Sequence, residues 1–366
     1  MIAFEAATPF QVFNCINILT EHEKGKEADI YIYTYASKLF DLAEKIRKSG
    51  FFRKVIVLDE IPGKGRIDTV KWMSGKKKYR FMVNDQYEAL YISYSGLPNL
   101  FLFNTLLMSS PMMKLYFYED GISSYYNGIF KHSINIRLLA RLFHIKDDSK
   151  YINKVLLYEP KLNAVKYKKT TVMKLIATQN PNIIDKIDRV FGVSKKTRSI
   201  LDTERIIYFD HDYSKYVGKD FFFRFDQNVI VNKISQICGK IVVKISPLID
   251  ASQSKYQGEK IISSNFEKVP WEVLVAGDEN IEKKVLITIC SNAVITPKSI
   301  FDKEPYVIIL GKAIFNEGLT NSTDIWTAEM GKYYNRIKAL YRDKTRFLVP
   351  ETFQEAYELI INIMKG

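Results

Sequence analysis

Four short polar groups in this chain stand next to apolar runs. Glu119-Asp120-Gly121 follows KLYFY, and Lys244-Ile245-Ser246-Pro247 closes GKIVVK. Pro270-Trp271-Glu272 precedes Val273 to Ala276, and Ser291-Asn292-Ala293-Val294 follows KVLITI. Asp120, beside a glycine that lets backbone approach closely, is suited to removing a proton from an attacking hydroxyl. Lys244 and Ser246 alternate along an extended chain and so share a face, where an ammonium and a hydroxyl can hold a phosphate. Glu272 can accept from a ribose diol. Ser291 and Asn292 open a turn whose backbone N–H groups suit an anion. Each group has a plain structural reading as well: an Asp-Gly turn, a Ser-Pro strand end, a proline-initiated strand with an exposed Glu, and an N-cap. Their order and spacing give them a common purpose. Ser246 to Glu272 is 26 residues and Glu272 to Ser291 is 19, all in the second half, with Asp120 in the first.

The elements that must position them alternate in type. Ile2-Ala3-Phe4, Ile30 to Tyr35, Lys54 to Leu58, Ala89 to Tyr94 and Lys114 to Tyr118 read as strands. Phe10 to Leu19, Ser37 to Ser49 and Asn99 to Met108 read as the helices between them. The second half repeats the theme with strands at Arg205 to Phe209, Gly239 to Lys244, Val273 to Ala276, Lys284 to Ile289 and Tyr306 to Leu310. Phe223 to Cys238 is mainly helical, and an amphipathic helix closes the chain over Glu351 to Met364. Alternating strands and helices imply parallel sheets covered on both faces. The fold class expected is α/β, with two Rossmann-like domains facing across a cleft. The boundaries expected are 1–200, 201–350 and a C-terminal helix over 351–366 that returns to the first domain or stays with the second. In such sheets ligands bind beyond the carboxyl ends of the strands, where the four polar groups lie.

Composition narrows the partners. With 366 residues, 47% apolar and 13% aromatic, the chain can build real cores and is not disordered. Cys15, Cys238 and Cys290 are far apart, which indicates neither a disulfide framework nor a zinc cluster. The net charge of +13 favours an anionic partner. Lys71 to Arg80 and Lys161 to Lys174 are the basic stretches expected to meet anionic lipid headgroups. Nucleic acid is not expected, since charge accounts for none of the four strand-end groups; a basic non-enzyme binding nucleic acid or membrane is the alternative from another class. No dinucleotide fingerprint, phosphate loop or hydrolase elbow occurs. Asp210-His211-Asp212 matches a DxD metal signature formally, but it opens the second half and reads as a polar loop. His22, His132 and His144 have no partner at ligand spacing. Glu5, Gln11, Asn14 and Asn17 interrupt the apolar N-terminus, which reads as no export signal, and no apolar run reaches the ~18 residues of a membrane span. The compartment expected is cytoplasmic, peripheral at the inner face of the cell membrane.

On its motifs the sequence resembles glycosyltransferase family 52, the bacterial lipooligosaccharide and capsule sialyltransferases of the GT-B type. Ala7-Thr8-Pro9-Phe10-Gln11 is similar to that family's Thr-Pro-Leu-Gln opening and Glu119-Asp120-Gly121 to its acidic-acidic-Gly motif. Pro270-Trp271-Glu272 is similar to its Pro-aromatic-Glu, and Ser291-Asn292-Ala293-Val294 to its Ser-Thr-Ala-Leu. The resemblance implies an inverting transferase with no metal or other cofactor, moving sialic acid from CMP-sialic acid to a glycan hydroxyl. It implies Asp120 as general base and Thr8, Gln11, Glu119 and Gly121 on the acceptor side. Lys244, Pro247, Glu272, Ser291 and Asn292 would bind the donor. The family's Lys-x-His-Pro is here Lys244-Ile245-Ser246-Pro247, with Ser246 where the leaving-group histidine stands. Either another cation, Lys244 being nearest, compensates, or the donor is a UDP-sugar.

Overall fold

The computed structural model describes residues 1–34, 38–58, 62, 65–79, 81, 85–93, 96–121, 123–126, 132–164, 170–210, 222–245, 256, 258–264, 269–323 and 325–365. The chain divides into two compact units, Met1–Phe191 and Gly192–Gly366.

The first unit is built on seven parallel strands: β1 (Ile2–Ala6), β2 (Ala28–Tyr33), β3 (Lys54–Leu58), β4 (Ala89–Ile92), β5 (Lys114–Tyr118), β6 (Ile152–Leu157) and β7 (Thr171–Lys174). Their spatial order is β3-β2-β1-β4-β5-β6-β7. The helices are α1 (Pro9–Asn17), α2 (Lys38–Ser49), α3 (Arg66–Met73), α4 (Leu97–Ser109), α5 (Ser123–Tyr126), α6 (Ile134–Leu142) and α7 (Pro181–Phe191). Strands β1, β2 and β4 are buried along their whole length, which is why they read as continuous apolar runs instead of alternating ones.

The second unit carries six parallel strands: β8 (Ile206–Phe209), β9 (Ile241–Lys244), β10 (Ile261–Ser264), β11 (Val285–Thr288), β12 (Tyr306–Ile309) and β13 (Phe347–Leu348), in the order β10-β9-β8-β11-β12-β13. Its helices are α8 (Lys195–Thr203), α9 (Gln227–Cys238), α10 (Trp271–Ala276), α11 (Thr296–Phe301), α12 (Gly311–Asn316), α13 (Ala328–Leu340) and α14 (Phe353–Lys365). The closing helix α14 packs on α9 and gives Ala356 and Ile360 to the core of this unit.

Both sheets therefore follow one rule. The first strand lies inside, the next two go to one side, and the fourth starts the other side, the doubly wound Rossmann order. The expected α/β class with two Rossmann-like domains is what the chain adopts. One element differs in kind: Val273 to Ala276, expected as a strand, lies in helix α10. Pro270 starts that helix, and Glu272 sits in its first turn, where a carboxylate is favoured. A run of four apolar residues is too short for periodicity to tell helix from strand. The stretch after residue 145, for which the sequence reading gave no element, holds β6, β7 and α7.

Candidate functional site

In each sheet the order reverses between its first and fourth strands, and the carboxyl ends of those strands are where ligands of this fold bind. In the first unit these are β1 and β4, and their ends carry a buried polar cluster. Glu5, on β1, is wholly buried. Its Oε2 accepts from the Ser93 backbone N–H at 3.3 Å, the Ser93 hydroxyl at 3.4 Å and the Asn99 amide at 3.4 Å. Its Oε1 is buried with no partner among the described residues. Burial pushes this carboxyl up to about 8 against the opposing Ser93 N–H bond, and the charge of Asp120 adds to the rise. Glu5 therefore holds a proton at neutral pH.

Asp120 follows the adjoining β5. Its backbone N–H donates to the Ser124 hydroxyl at 2.8 Å, and its side chain accepts from the Gln11 side chain. Burial raises its carboxyl above the usual aspartate range, and the Gln11 bond opposes the rise. Gln11 is aimed by the start of α1. The Thr8 hydroxyl caps the Gln11 N–H at 3.2 Å, while Gln11 Oε1 accepts from Ala7 N–H at 2.5 Å and Thr8 N–H at 3.1 Å. This capping box occupies the amide oxygen, so the amide nitrogen is left to face Asp120.

The next polar residues of α1, Asn14 and Asn17, point the same way. Asn14 donates to the Glu119 carbonyl at 2.9 Å and accepts from the Tyr158 hydroxyl at 2.6 Å; Asn17 donates to that hydroxyl at 2.9 Å. Gln11, Asn14 and Asn17, three of the four interruptions of the N-terminal apolar run, are thus a buried ladder that braces the turn after β5. Glu119 itself is turned inward, with its carboxylate accepting from Tyr158 N–H at 2.8 Å and from the Tyr125 hydroxyl. Gly121 sits at φ +81, the left-handed region that glycine adopts freely, and a side chain there would meet nothing within 4 Å.

In the second unit, strand register aligns Lys244, Phe209 and Thr288 in one row at the carboxyl ends of β9, β8 and β11. Lys244 is buried, and its carbonyl accepts from Asp210 N–H at 3.0 Å. The Thr288 hydroxyl accepts from Ser291 N–H at 2.9 Å, which draws Ser291 to the same row. Ser291 caps the short turn Asn292–Ile295, accepting from Ala293 N–H at 3.4 Å, while Asn292 is exposed. Trp271 meets the Phe209 ring edge-on, with centroids 4.8 Å apart, and Thr296 at the start of α11 donates to Glu272 at 3.4 Å. Lys244 and Ser291 are therefore tied to these strand ends, and Glu272 follows the Trp271 that packs on Phe209. Ser246 and Pro247 lie outside the described residues. Of the DxD triplet, Asp210 is buried and accepts from the Tyr256 hydroxyl, while His211 and Asp212 lie outside the described residues.

Two features lay beyond the sequence reading. Glu5 counted only as an interruption, although a lone carboxylate inside the apolar strand IAFEA is a signal in itself. His132 pairs with Asp148 at 2.6 Å next to Asp147, and these three are the described residues grouped closely enough to hold a metal ion. Burial lowers the His132 pKa, but the bond and charge of Asp148 outweigh it and the net shift is upward. The pair pins the chain two residues before α6 to the turn before β6.

No protein-family model matches the chain, and no curated protein does so either. Solved structures share its fold. UDP-GlcNAc 2-epimerase from Neisseria meningitidis, bound to UDP-GlcNAc, aligns over 100% of this chain and 90% of its own at 8% identity with a TM-score of 0.50. The Methanocaldococcus jannaschii UDP-GlcNAc 2-epimerase aligns over 100% and 92% at 10% identity and 0.49, and the wall teichoic acid polymerase TagF over 100% and 88% at 10% and 0.43. The fold is that of the GT-B enzymes. Among the described residues, no helix is long and apolar enough to cross a membrane.

Proposed function

We propose that the chain is an inverting, metal-independent glycosyltransferase. Its first unit activates an acceptor hydroxyl, and its second holds a nucleotide-sugar. Asp120 takes the proton of the acceptor hydroxyl, and the freed oxygen pair attacks the anomeric carbon. The bond from that carbon to the donor phosphate breaks, and its electrons leave with the nucleotide. Lys244, with Ser246 and Ser291, meets the charge that develops on the phosphate, as preorganised donors do without rearranging. Glu272 takes the ribose hydroxyls. The observation that carries the reading is the Asp120 carboxyl: half-buried, raised by burial, and held by a Gln11 amide that the capping box orients. A base with a raised pKa is a better proton acceptor, and such assistance is worth about 10²–10⁴-fold in rate.

The donor proposed is CMP-sialic acid, on the family 52 resemblance, with a capsular or lipooligosaccharide sugar as acceptor and a working place at the inner membrane face. A UDP-hexose is the second reading. It is favoured by Ser246 in the histidine position and by the UDP-GlcNAc that the N. meningitidis epimerase structure holds. Acceptor-dependent nucleotide release, measured across CMP-sialic acid and UDP-hexoses, separates the two. Release of CMP supports the first and release of UDP the second; release of neither, with glycan acceptors of both kinds present, removes the transferase reading.

A further inference from the structure

We infer that the outer face formed by α3 and α6 of the first unit docks on an anionic lipid bilayer. Helix α6 carries Ile134, Leu138 and Leu142 at four-residue spacing, 67%, 59% and 68% exposed, while Ala140 on its other side is buried. Three large apolar side chains in one exposed stripe are unlike the scattered exposed apolar residues of an ordinary surface. Arg137 and Arg141 are exposed beside the stripe, and α6 contains no carboxylate. Helix α3 packs against α6 and exposes Ile67 and Val70 next to Arg66 and Lys71. Its one acid, Asp68, is neutralised by Lys77 at 2.8 Å.

An apolar stripe bordered by basic residues is the make-up of a helix that lies in a membrane interface, its apolar side chains among the acyl chains and its basic ones at the headgroups. Charge decides between occupants. A second copy, meeting this face about a two-fold axis, would set Arg137 and Arg141 against the same residues of the other copy. Anionic headgroups complement them, and the chain's net +13 adds to the attraction. The basic stretch Lys71 to Arg80, read from sequence as a lipid contact, begins on this same face; the apolar stripe of α6 is new. The inference rests on the proposed membrane placement and is independent of donor and base.

The test is co-sedimentation of the full chain with vesicles of phosphatidylcholine alone or with roughly one third phosphatidylglycerol. Binding to the anionic vesicles alone is expected. Leu138→Glu combined with Leu142→Glu should weaken it by about tenfold or more, and Arg137→Ala or Arg141→Ala by about fivefold each. These positions are exposed, so melting temperature should stay unchanged and report intact folding. If the unaltered chain ignores anionic vesicles, the membrane placement falls. If it binds them but the double variant binds equally well, this face is not the docking surface. A dimer in sedimentation velocity that the double variant splits would assign the face to a second copy and overturn the inference.

Discussion

The two sheets share a strand order, yet their carboxyl ends carry different sets of side chains. The end of the first is acidic: Glu5 on β1 and Glu119 and Asp120 after β5, two of them bonded inward and the third steered by Gln11. The end of the second adds a buried lysine in one row with a threonine, a serine bonded to that threonine, and the buried Asp210 bonded to the lysine's carbonyl. Topology thus fixes where side chains converge, and side-chain type decides what they can do there. Burial raises a carboxyl's affinity for a proton, so its ionised form is the stronger base, whereas a lysine beside hydroxyls suits a phosphate.

Breaking the acidic end should have the largest effect. Asp120→Ala is expected to cut transfer by about 10²–10⁴-fold, the usual worth of a general base, while donor affinity stays within a factor of about two. A fall in affinity that accounts for the lost rate would assign Asp120 to the wrong role. Glu5 gives the next effect, through pH. Its folded pKa lies above its unfolded one, so the folded chain binds more protons between about pH 4.5 and 8 and stability falls as pH rises through that window. Wild type should lose on the order of 4 kcal/mol across it, and Glu5→Gln should flatten the curve. Matching slopes in urea melts of the two proteins would show that Glu5 ionises normally.

At the second end, Glu272→Ala should weaken donor binding by about 10–100-fold, the loss of a hydrogen-bonded charge, with little change in the rate at saturation. Isothermal titration reads it; unchanged affinity would detach Glu272 from the donor. The smallest effect is Gly121→Ala. The added methyl has room, so only the left-handed backbone costs, about 1–2 kcal/mol in thermal unfolding.

Sequence and structure agree best where strands are central. KLYFY, GKIVV and KVLITI are buried over most of their length, so burial wrote them as nearly unbroken apolar runs. INKVLL and TVMK lie toward the edge of the first sheet and keep Asn153, Thr171 and Lys174 at exposed positions with Lys154 half-buried, which hides them in a basic stretch. The same distinction runs through the site. Asp120 and Ser291 follow recognisable strands and were legible as strand-end polar residues. Glu5 was not, because its meaning depends on Ser93 and Asn99, about ninety residues away. Glu119 and Thr8, expected on the acceptor side, also brace the turn after β5 and cap α1, roles that their long-range and local bonds alone reveal.

The central claim is that the second sheet's polar end holds a nucleotide phosphate while the first sheet's acidic end does not. Thermal unfolding with CMP, UDP and GDP tests it directly, run on wild type, Lys244→Ala and Asp120→Ala. One nucleotide, at about 100 times its dissociation constant, should stabilise wild type and Asp120→Ala by roughly 2.7 kcal/mol and Lys244→Ala by much less. Equal stabilisation of all three proteins, or none by any nucleotide, would contradict it.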